Sequence, residues 1–192
     1  MTATKAHPDR LHFTGDDEAD RLLATDPLAL LIGFALDQQV SVQKAFSGPA
    51  EIRRRLGHLD AARLAAMDPD ALATAFRQRP AIHRYPAAMA GRVQALCAYL
   101  VSRHGGDARR VWTDAHDGRD LQARILALPS IGDMKARSLI ATLVKRFGVD
   151  LPGLDEVIPR YPTLGDVDSP EALASYQDAK RAWKAAHRAA GG

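Results

Sequence analysis

The segment that most restricts the fold is residues 28–36, which are apolar at every position. Nine residues are far fewer than the ~20 needed to span a bilayer, so the segment predicts a helix buried on most sides inside a protein core. Asp26 and Pro27 precede it, as expected for an N-cap and a first helical residue. A helix enclosed in this way needs other elements around it.

Apolar residues elsewhere recur at spacings of three and four, and hardly any stretch alternates at two. This periodicity predicts an all-α fold. Residues 1–15 are expected to form a flexible arm, and a Gly48-Pro49 pair is expected to stop one of the helices. The predicted helices cover residues 16–24, 26–36, 41–46, 50–56, 60–66, 68–77, 86–103, 119–127, 133–147 and 169–187.

Composition excludes several classes of protein. One cysteine among 192 residues excludes a disulfide framework within the chain and any four-cysteine iron–sulfur or zinc site. The histidines show no metal-ligand spacing, so we expect no metal and no cofactor. No hydrophobic signal core or membrane-length run is present, and neither secretion nor a membrane is indicated. The net charge of +3 permits a nucleic-acid partner without requiring one.

The segment joining two predicted helices at residues 128–133 suits phosphate binding. Pro129 ends the first helix, Ile131 is an apolar plug, and Gly132 allows close approach or an unusual φ. The next helix begins at once, so free N–H groups point out of the turn with the positive end of the helix dipole behind them. Lys135 and Arg137 fall in its first turn, which makes sense if an anion neutralises them. An ordinary helical hairpin is the alternative.

Two segments together resemble a known family. Residues 128–136, Leu-Pro-Ser-Ile-Gly-Asp-Met-Lys-Ala, resemble the hairpin of the helix-hairpin-helix (HhH-GPD) DNA glycosylase superfamily, which includes endonuclease III. Residues 36–42, Leu-Asp-Gln-Gln-Val-Ser-Val, resemble the end of that family's first buried helix and its glutamine-containing turn. Their order and separation also fit, and the resemblance covers roughly residues 26–154.

The resemblance implies a two-lobed helical fold with a cleft between the lobes, in a member without an iron–sulfur cluster. One lobe would cover about residues 36–130, and the other the N-terminal helix with about residues 133–190. Gln38 and Gln39 would wedge into a duplex where a nucleotide is flipped out. The residues expected to contact DNA at the hairpin are Ser130, Ile131, Gly132, Met134, Lys135 and Arg137.

Base excision requires a carboxylate, because the sugar becomes oxocarbenium-like as the glycosidic bond breaks. The resemblance points to Asp155 first and Asp150 second, after the hairpin helix. Asp37, directly before the glutamine turn, is the alternative. Met134 occupies the position of the lysine found in bifunctional members, and Lys135 is one residue later. A one-residue step rotates a side chain by about 100°, so we expect Lys135 to point away from the pocket toward backbone phosphate, which disfavours a lyase step.

The resulting hypothesis is a monofunctional base-excision DNA glycosylase. Its partner would be double-stranded DNA containing a lesion, and it would act as a monomer in the cytoplasm, associated with the nucleoid. Two alternatives stay open: a non-catalytic binder of distorted DNA with the same fold, and a helical protein-interaction domain unrelated to DNA. Which base is recognised is not determined by these patterns.

Overall fold

The computed structural model describes residues 7–190, except the side chains of residues 183, 184 and 187–190. This part of the chain is all-α, with ten α-helices, two short 3₁₀ helices (Leu154–Glu156 and Leu164–Asp166) and no strand. None of these helices is both long and apolar enough to cross a membrane. The α-helices are α1 Asp17–Thr25, α2 Pro27–Leu36, α3 Val42–Leu56, α4 Ala61–Ala66, α5 Pro69–Arg77, α6 Pro86–His104, α7 Arg110–Thr113, α8 Gly118–Leu126, α9 Asp133–Lys145 and α10 Pro170–Ala190.

The α2 helix is the enclosed helix that its sequence predicts. The Asp26 carboxylate accepts hydrogen bonds from the amides of Leu28 and Ala29, and Pro27 is the first helical residue. All nine residues that follow Pro27 in α2 are buried. Because α1, α3 and α6 all pack against it, α2 forms the centre of the core.

The chain before α1 differs from the predicted flexible arm. Residues 1–6 lie outside the described part of the chain, but Leu11 and Phe13 are buried in the core. The Asp20 carboxylate accepts hydrogen bonds from the amides of Phe13 and Thr14, both at 3.0 Å. Two apolar side chains and a buried carboxylate therefore order a segment that has no helical periodicity of its own.

The break expected at Gly48-Pro49 is also wrong, because α3 continues through both residues to Leu56. A proline inside a helix removes one backbone hydrogen bond and costs about 3 kcal/mol. Burial of Phe46 before Pro49 and of Ile52 after it offsets that cost. Gly48 also lies close to α2, because a Cβ atom there would be 2.4 Å from the buried Leu36 side chain and would force it to move.

The packing of α1 differs from the predicted grouping with residues 133–190. It packs mainly on α2 and α3, since a single residue separates it from α2. In the second half of the chain α8 packs on α9 and on the 3₁₀ helix Leu154–Glu156. The other 3₁₀ helix, Leu164–Asp166, packs on α9 and α10. The helical spacing of the last helix predicts that Leu173 and Trp183 face inward. Leu173 is buried, whereas the Trp183 side chain lies outside the described residues.

Candidate functional site

The C-terminal end of α2 leads into a tightly held glutamine turn. Asp37 is the C-cap of α2, and its amide donates to Gly33 and Phe34 carbonyl oxygens. The Arg92 guanidinium on α6 donates a hydrogen bond to the Gln38 side-chain oxygen. Gln38 is therefore half-buried and directed toward α6, and of the two predicted wedge residues only Gln39 is exposed.

Gln39 has a left-handed backbone, with φ of +56°, which residues other than glycine rarely adopt. Its side-chain oxygen accepts a hydrogen bond from the Tyr85 hydroxyl at 3.2 Å. Tyr85 belongs to the connector between α5 and α6, and the Arg84 guanidinium lies over its ring, 5.0 Å from the centroid. The glutamine turn and the connector therefore contact each other at the surface. This contact supports the strained backbone of Gln39.

The bend between α8 and α9 is anchored by two buried apolar residues, Leu128 and Ile131, and is otherwise partly or fully exposed. The left-handed residue in it is Ser130, with φ of +69°. Gly132 has an ordinary φ of −88°, and a Cβ atom there would meet nothing within 4 Å. The predicted unusual φ thus falls two residues early, and the protein itself does not require glycine at position 132.

The first turn of α9 presents backbone amides to solvent. Its N-cap is Gly132, which has no side chain to cap the helix, and the first helical hydrogen bond runs from the Ala136 amide to the Gly132 oxygen. Gly132, Asp133 and Met134 are all exposed. The anion expected beside Arg137 is supplied within the chain, because the Asp133 carboxylate accepts from the Arg137 Nε at 2.8 Å.

The register of Lys135 predicts a side chain that points away from the pocket toward backbone phosphate, but in the structure the side chain is directed at two carbonyl oxygens of the protein. Its Nζ donates to the carbonyl oxygens of Ala35 on α2 and Ser130 in the bend, each at 3.2 Å. The outward-facing residue is Met134, whose exposed fraction is 63%. The direction was wrong because it depends on which face of α9 lies against α2, and only tertiary packing decides that. Lys135 binds an unsatisfied carbonyl at the C-terminal end of α2, where a cation is favourable.

Asp37, which directly follows α2, influences one titratable group on each of two other helices. Burial lowers the pKa of Lys135, and the Asp37 carboxylate opposes that change. Burial also raises the pKa of Tyr176 on α10, and Asp37 raises it further. Asp37 therefore lies within electrostatic range of both an ammonium group and a phenol. The helical spacing of Tyr176 predicts only an inward-facing residue, and nothing local places it beside Asp37.

The other candidate carboxylates lie elsewhere. Asp155 is exposed in a 3₁₀ helix that packs on the N-terminal end of α8, where a Cβ on Gly118 would lie 2.5 Å from the Gly153 oxygen. The hairpin is at the opposite end of α8, roughly 13 Å away along a nine-residue helix. Asp150, also exposed, follows the C-terminal end of α9. The structure therefore brings Asp37, and neither of these, to the hairpin.

Large apolar side chains are exposed both in the first turn of α9 and beside the glutamine turn. Met134 contacts the Tyr161 hydroxyl through its sulfur at 3.9 Å, and Tyr161 has an exposed fraction of 44%. Tyr85, beside the glutamine turn, has an exposed fraction of 42%. Of these side chains, Met134 and Tyr161 are in contact, and an exposed apolar cluster of this kind is typical of a contact surface. Tyr161 had no sequence signal, because it lies in a Pro- and Gly-rich segment without periodicity.

A cavity of about 240 Å³ lies at the other end of α2 and α9. Its walls include Pro27 and Leu30 of α2, Trp112 of α7, and Phe147 just after α9. The C-terminal end of α2 is about 15 Å from its N-terminal end. This cavity is therefore separate from the Asp37 neighbourhood.

No group of three or more metal-ligating side chains comes together among the side chains that the structure describes. Comparisons with protein-family profiles, with curated proteins and with solved structures find no significant match. The function of the chain is therefore inferred from the geometry of the hairpin, the glutamine turn and Asp37.

Proposed function

We propose that the chain is a monofunctional base-excision DNA glycosylase of the helix-hairpin-helix type. The observation that carries this proposal is the exposed, uncapped first turn of α9 next to Asp37. Amide N–H groups at a helix N-terminus bind phosphate, and a nearby carboxylate stabilises a developing sugar cation. The packing of α1–α6 as one group and α8–α10 as another supports a two-lobed arrangement, and Lys135 of α9 contacts Ala35 of α2 beside this site.

The reaction assigns each group a role. A DNA strand bound at the hairpin would place a flipped nucleotide near Asp37, while Gln39 and Tyr85 occupy the duplex beside it. Water adds to the sugar C1′, the glycosidic bond breaks, and the base leaves with a proton. The Asp37 carboxylate stabilises the positive charge that develops on the sugar. Met134 and Tyr161 supply an apolar surface for the sugar or the base.

Lys135 supports hydrolysis rather than a lyase step. Its Nζ joins the end of α2 to the hairpin through two hydrogen bonds. An attack of this nitrogen on the sugar would require it to leave both carbonyl oxygens, and would separate the two elements that hold the substrate. The two hydrogen bonds of Lys135 therefore favour a monofunctional enzyme.

The direct test is incubation with duplexes that each carry one altered base: uracil, an alkylated base, an oxidised base or a hydroxymethylated base. We expect strand cleavage of at least one duplex, only after alkali, because hydrolysis leaves an intact abasic strand. Borohydride should trap no covalent protein–DNA adduct, whereas a trapped adduct would show a lyase. If folded protein, checked by circular dichroism, leaves every duplex intact, the enzyme assignment is contradicted.

The second candidate is a binder of distorted DNA, which would use the same hairpin and glutamine turn. The outlying position of Asp155, the residue that the family resemblance places first for catalysis, favours it. This candidate predicts tight, salt-dependent binding of the altered duplexes with no release of a base.

Gly132→Ala should separate stability from DNA binding. Position 132 has an ordinary backbone and open space, and the stiffer unfolded chain that alanine gives is opposed by its weakness as an N-cap, so the free energy of unfolding should change by less than about 1 kcal/mol. The added methyl group would prevent phosphate from reaching the adjacent amides. Loss of one charged hydrogen bond, about 1.5–3 kcal/mol, corresponds to a decrease in affinity of roughly ten- to a hundredfold.

The measurement is fluorescence anisotropy with a labelled duplex at several salt concentrations, together with urea unfolding. Ser130→Gly is the matched control, because it relieves a left-handed serine in the same bend without adding an atom. The amides of the bend stay accessible in this variant, so its affinity should fall far less than that of Gly132→Ala. Equal affinity of Gly132→Ala and wild type would contradict phosphate binding at this turn.

A further inference from the structure

A buried histidine connects the two exposed segments that flank the site. His83 lies in the connector between α5 and α6 and has an exposed fraction of only 1%. Its Nε2 is 3.2 Å from the Leu36 oxygen and 3.0 Å from the Gln38 oxygen. On the other side of the ring, the Tyr85 amide donates to Nδ1 at 3.1 Å. One imidazole therefore contacts both the glutamine turn and the connector.

These contacts define the protonation state of the ring. An Nδ1 that accepts from an amide carries no proton, so the proton is on Nε2, which shares it between two carbonyl oxygens. The neutral Nε2–H tautomer satisfies all three contacts, and the charged ring cannot, because it would present a second N–H to the Tyr85 amide.

The surroundings of His83 also favour the neutral ring. Burial lowers its pKa below the usual 6.5, although the hydrogen bonds to Gln38 and Leu36 partly oppose that change. The fields of Lys44 on α3 and Lys135 on α9 lower the pKa further. Lys44 itself donates to the Ala81 carbonyl at the start of the same connector.

The nearby charges on the remaining neighbouring elements are already engaged. Arg84 stacks on Tyr85, and Arg92 of α6 donates to the Gln38 side chain. Asp37, between the two carbonyls that His83 binds, lies within electrostatic range of Lys135.

We propose that neutral His83 is a positioning residue that presents Gln39 and Tyr85 to DNA as one unit, and that protonation of its Nδ1 releases the Tyr85 side of that unit. Gln39 and Tyr85 come from different parts of the chain and meet through a single exposed hydrogen bond. The ring beneath them supplies the buried link. Protonation turns the Tyr85 contact into two opposed donors, so the connector must move. This inference rests on the proposed function, since it concerns the surface assigned to DNA.

The direction of the pH effect distinguishes this role from general electrostatics. Protonation of exposed histidines makes the protein more positive and strengthens DNA binding as the pH falls. Release of Tyr85 has the opposite effect, and should weaken binding by about three- to tenfold, the equivalent of one hydrogen bond. Because the folded pKa of His83 is lowered, its contribution to stability is complete above pH 6.5 and declines below it, toward the folded pKa.

The experiment combines nuclear magnetic resonance with binding on the full chain between pH 7.5 and 5. Long-range ¹H–¹⁵N correlations should show the Nε2–H tautomer of His83 at neutral pH. The amide signals of Tyr85, Gln38 and Gln39 should shift at the same midpoint as the ring. Affinity for a duplex with a flexible mismatch should fall at that midpoint.

His83→Gln keeps a donor for the two carbonyls but removes the Nδ1 acceptor, so it should bind weakly and show no acid-induced decrease. His104→Gln is the matched control, because His104 is also buried with a pKa lowered mainly by burial, at the far end of α6. It should keep the wild-type pH profile.

DNA affinity that stays level or rises while His83 titrates would overturn the proposal. Amide signals of Tyr85 and Gln38 that do not shift during this titration would also overturn it. If no duplex binds at any pH, the proposed function fails instead. The amide shifts then decide alone whether His83 links the two segments.

Discussion

Replacing Asp37 with asparagine should lower the rate of base release by about 10²- to 10⁴-fold, the usual contribution of a positioned catalytic carboxylate. Asparagine has nearly the same shape but no negative charge, so the sugar cation loses its stabilising partner. Duplex binding should be little changed, since the hairpin amides and Gln39 are untouched. Single-turnover kinetics and anisotropy measure the two quantities separately.

The matched control is Asp155→Asn. Asp155 is exposed at the end of α8 away from the hairpin, and its replacement should leave base release unchanged. The opposite result, an inactive Asp155→Asn and an active Asp37→Asn, would show that the reacting sugar lies elsewhere. Asp37→Asn should also lower the pKa of Lys135 further, because the carboxylate that opposes the effect of burial is gone. That change can be followed in the Nζ chemical shift.

Phe46→Ala should destabilise the fold by about 3–5 kcal/mol, a large part of the 5–15 kcal/mol typical of whole domains. Phe46 is fully buried, and its ring packs edge-on against Phe13 at 5.0 Å and Phe34 at 5.1 Å. Gly33 faces it so closely that a Cβ atom there would lie 2.4 Å from the ring. A cavity at this point would be left among side chains from three segments that cannot all move inward.

Urea unfolding followed by circular dichroism measures this loss. Tyr161→Ala is the control, because it removes an aromatic ring of similar size from an exposed position. It should cost less than about 1 kcal/mol. Similar losses for both variants would mean that the Phe13–Phe34–Phe46 cluster is not the centre of the stabilising core.

Local sequence was sufficient to predict where a helix starts, ends or is buried wherever one residue type has a single physical effect. Asp26 and Pro27 start α2 because a carboxylate caps free amides and proline needs no amide donor, and the structure confirms both. Gly105 ends α6 in the left-handed conformation that glycine adopts without strain. In α9, the spacing of three and four predicts a buried face that includes Leu139 and Ile140, and both residues are buried.

Predictions from local sequence were wrong where tertiary packing outweighed a local conformational preference. Proline predicts a break at position 49, but the core on both sides of it holds α3 together. The first fifteen residues lack periodicity, yet Asp20 and two apolar side chains order the part beyond residue 10. In both segments, the stabilising free energy of many small contacts exceeded the cost expected from the local sequence.

The candidate site shows the same division. The sequence by itself determined that the chain is helical, that a buried helix ends in a glutamine turn, and that amides are free at the start of α9. Only the tertiary structure decided that Lys135 faces inward and Met134 outward, that Asp37 rather than Asp155 accompanies the hairpin, and that His83 lies beneath the turn. The reason is that caps and periodicity act within a few residues, whereas these contacts join residues from about 45 to 100 positions apart.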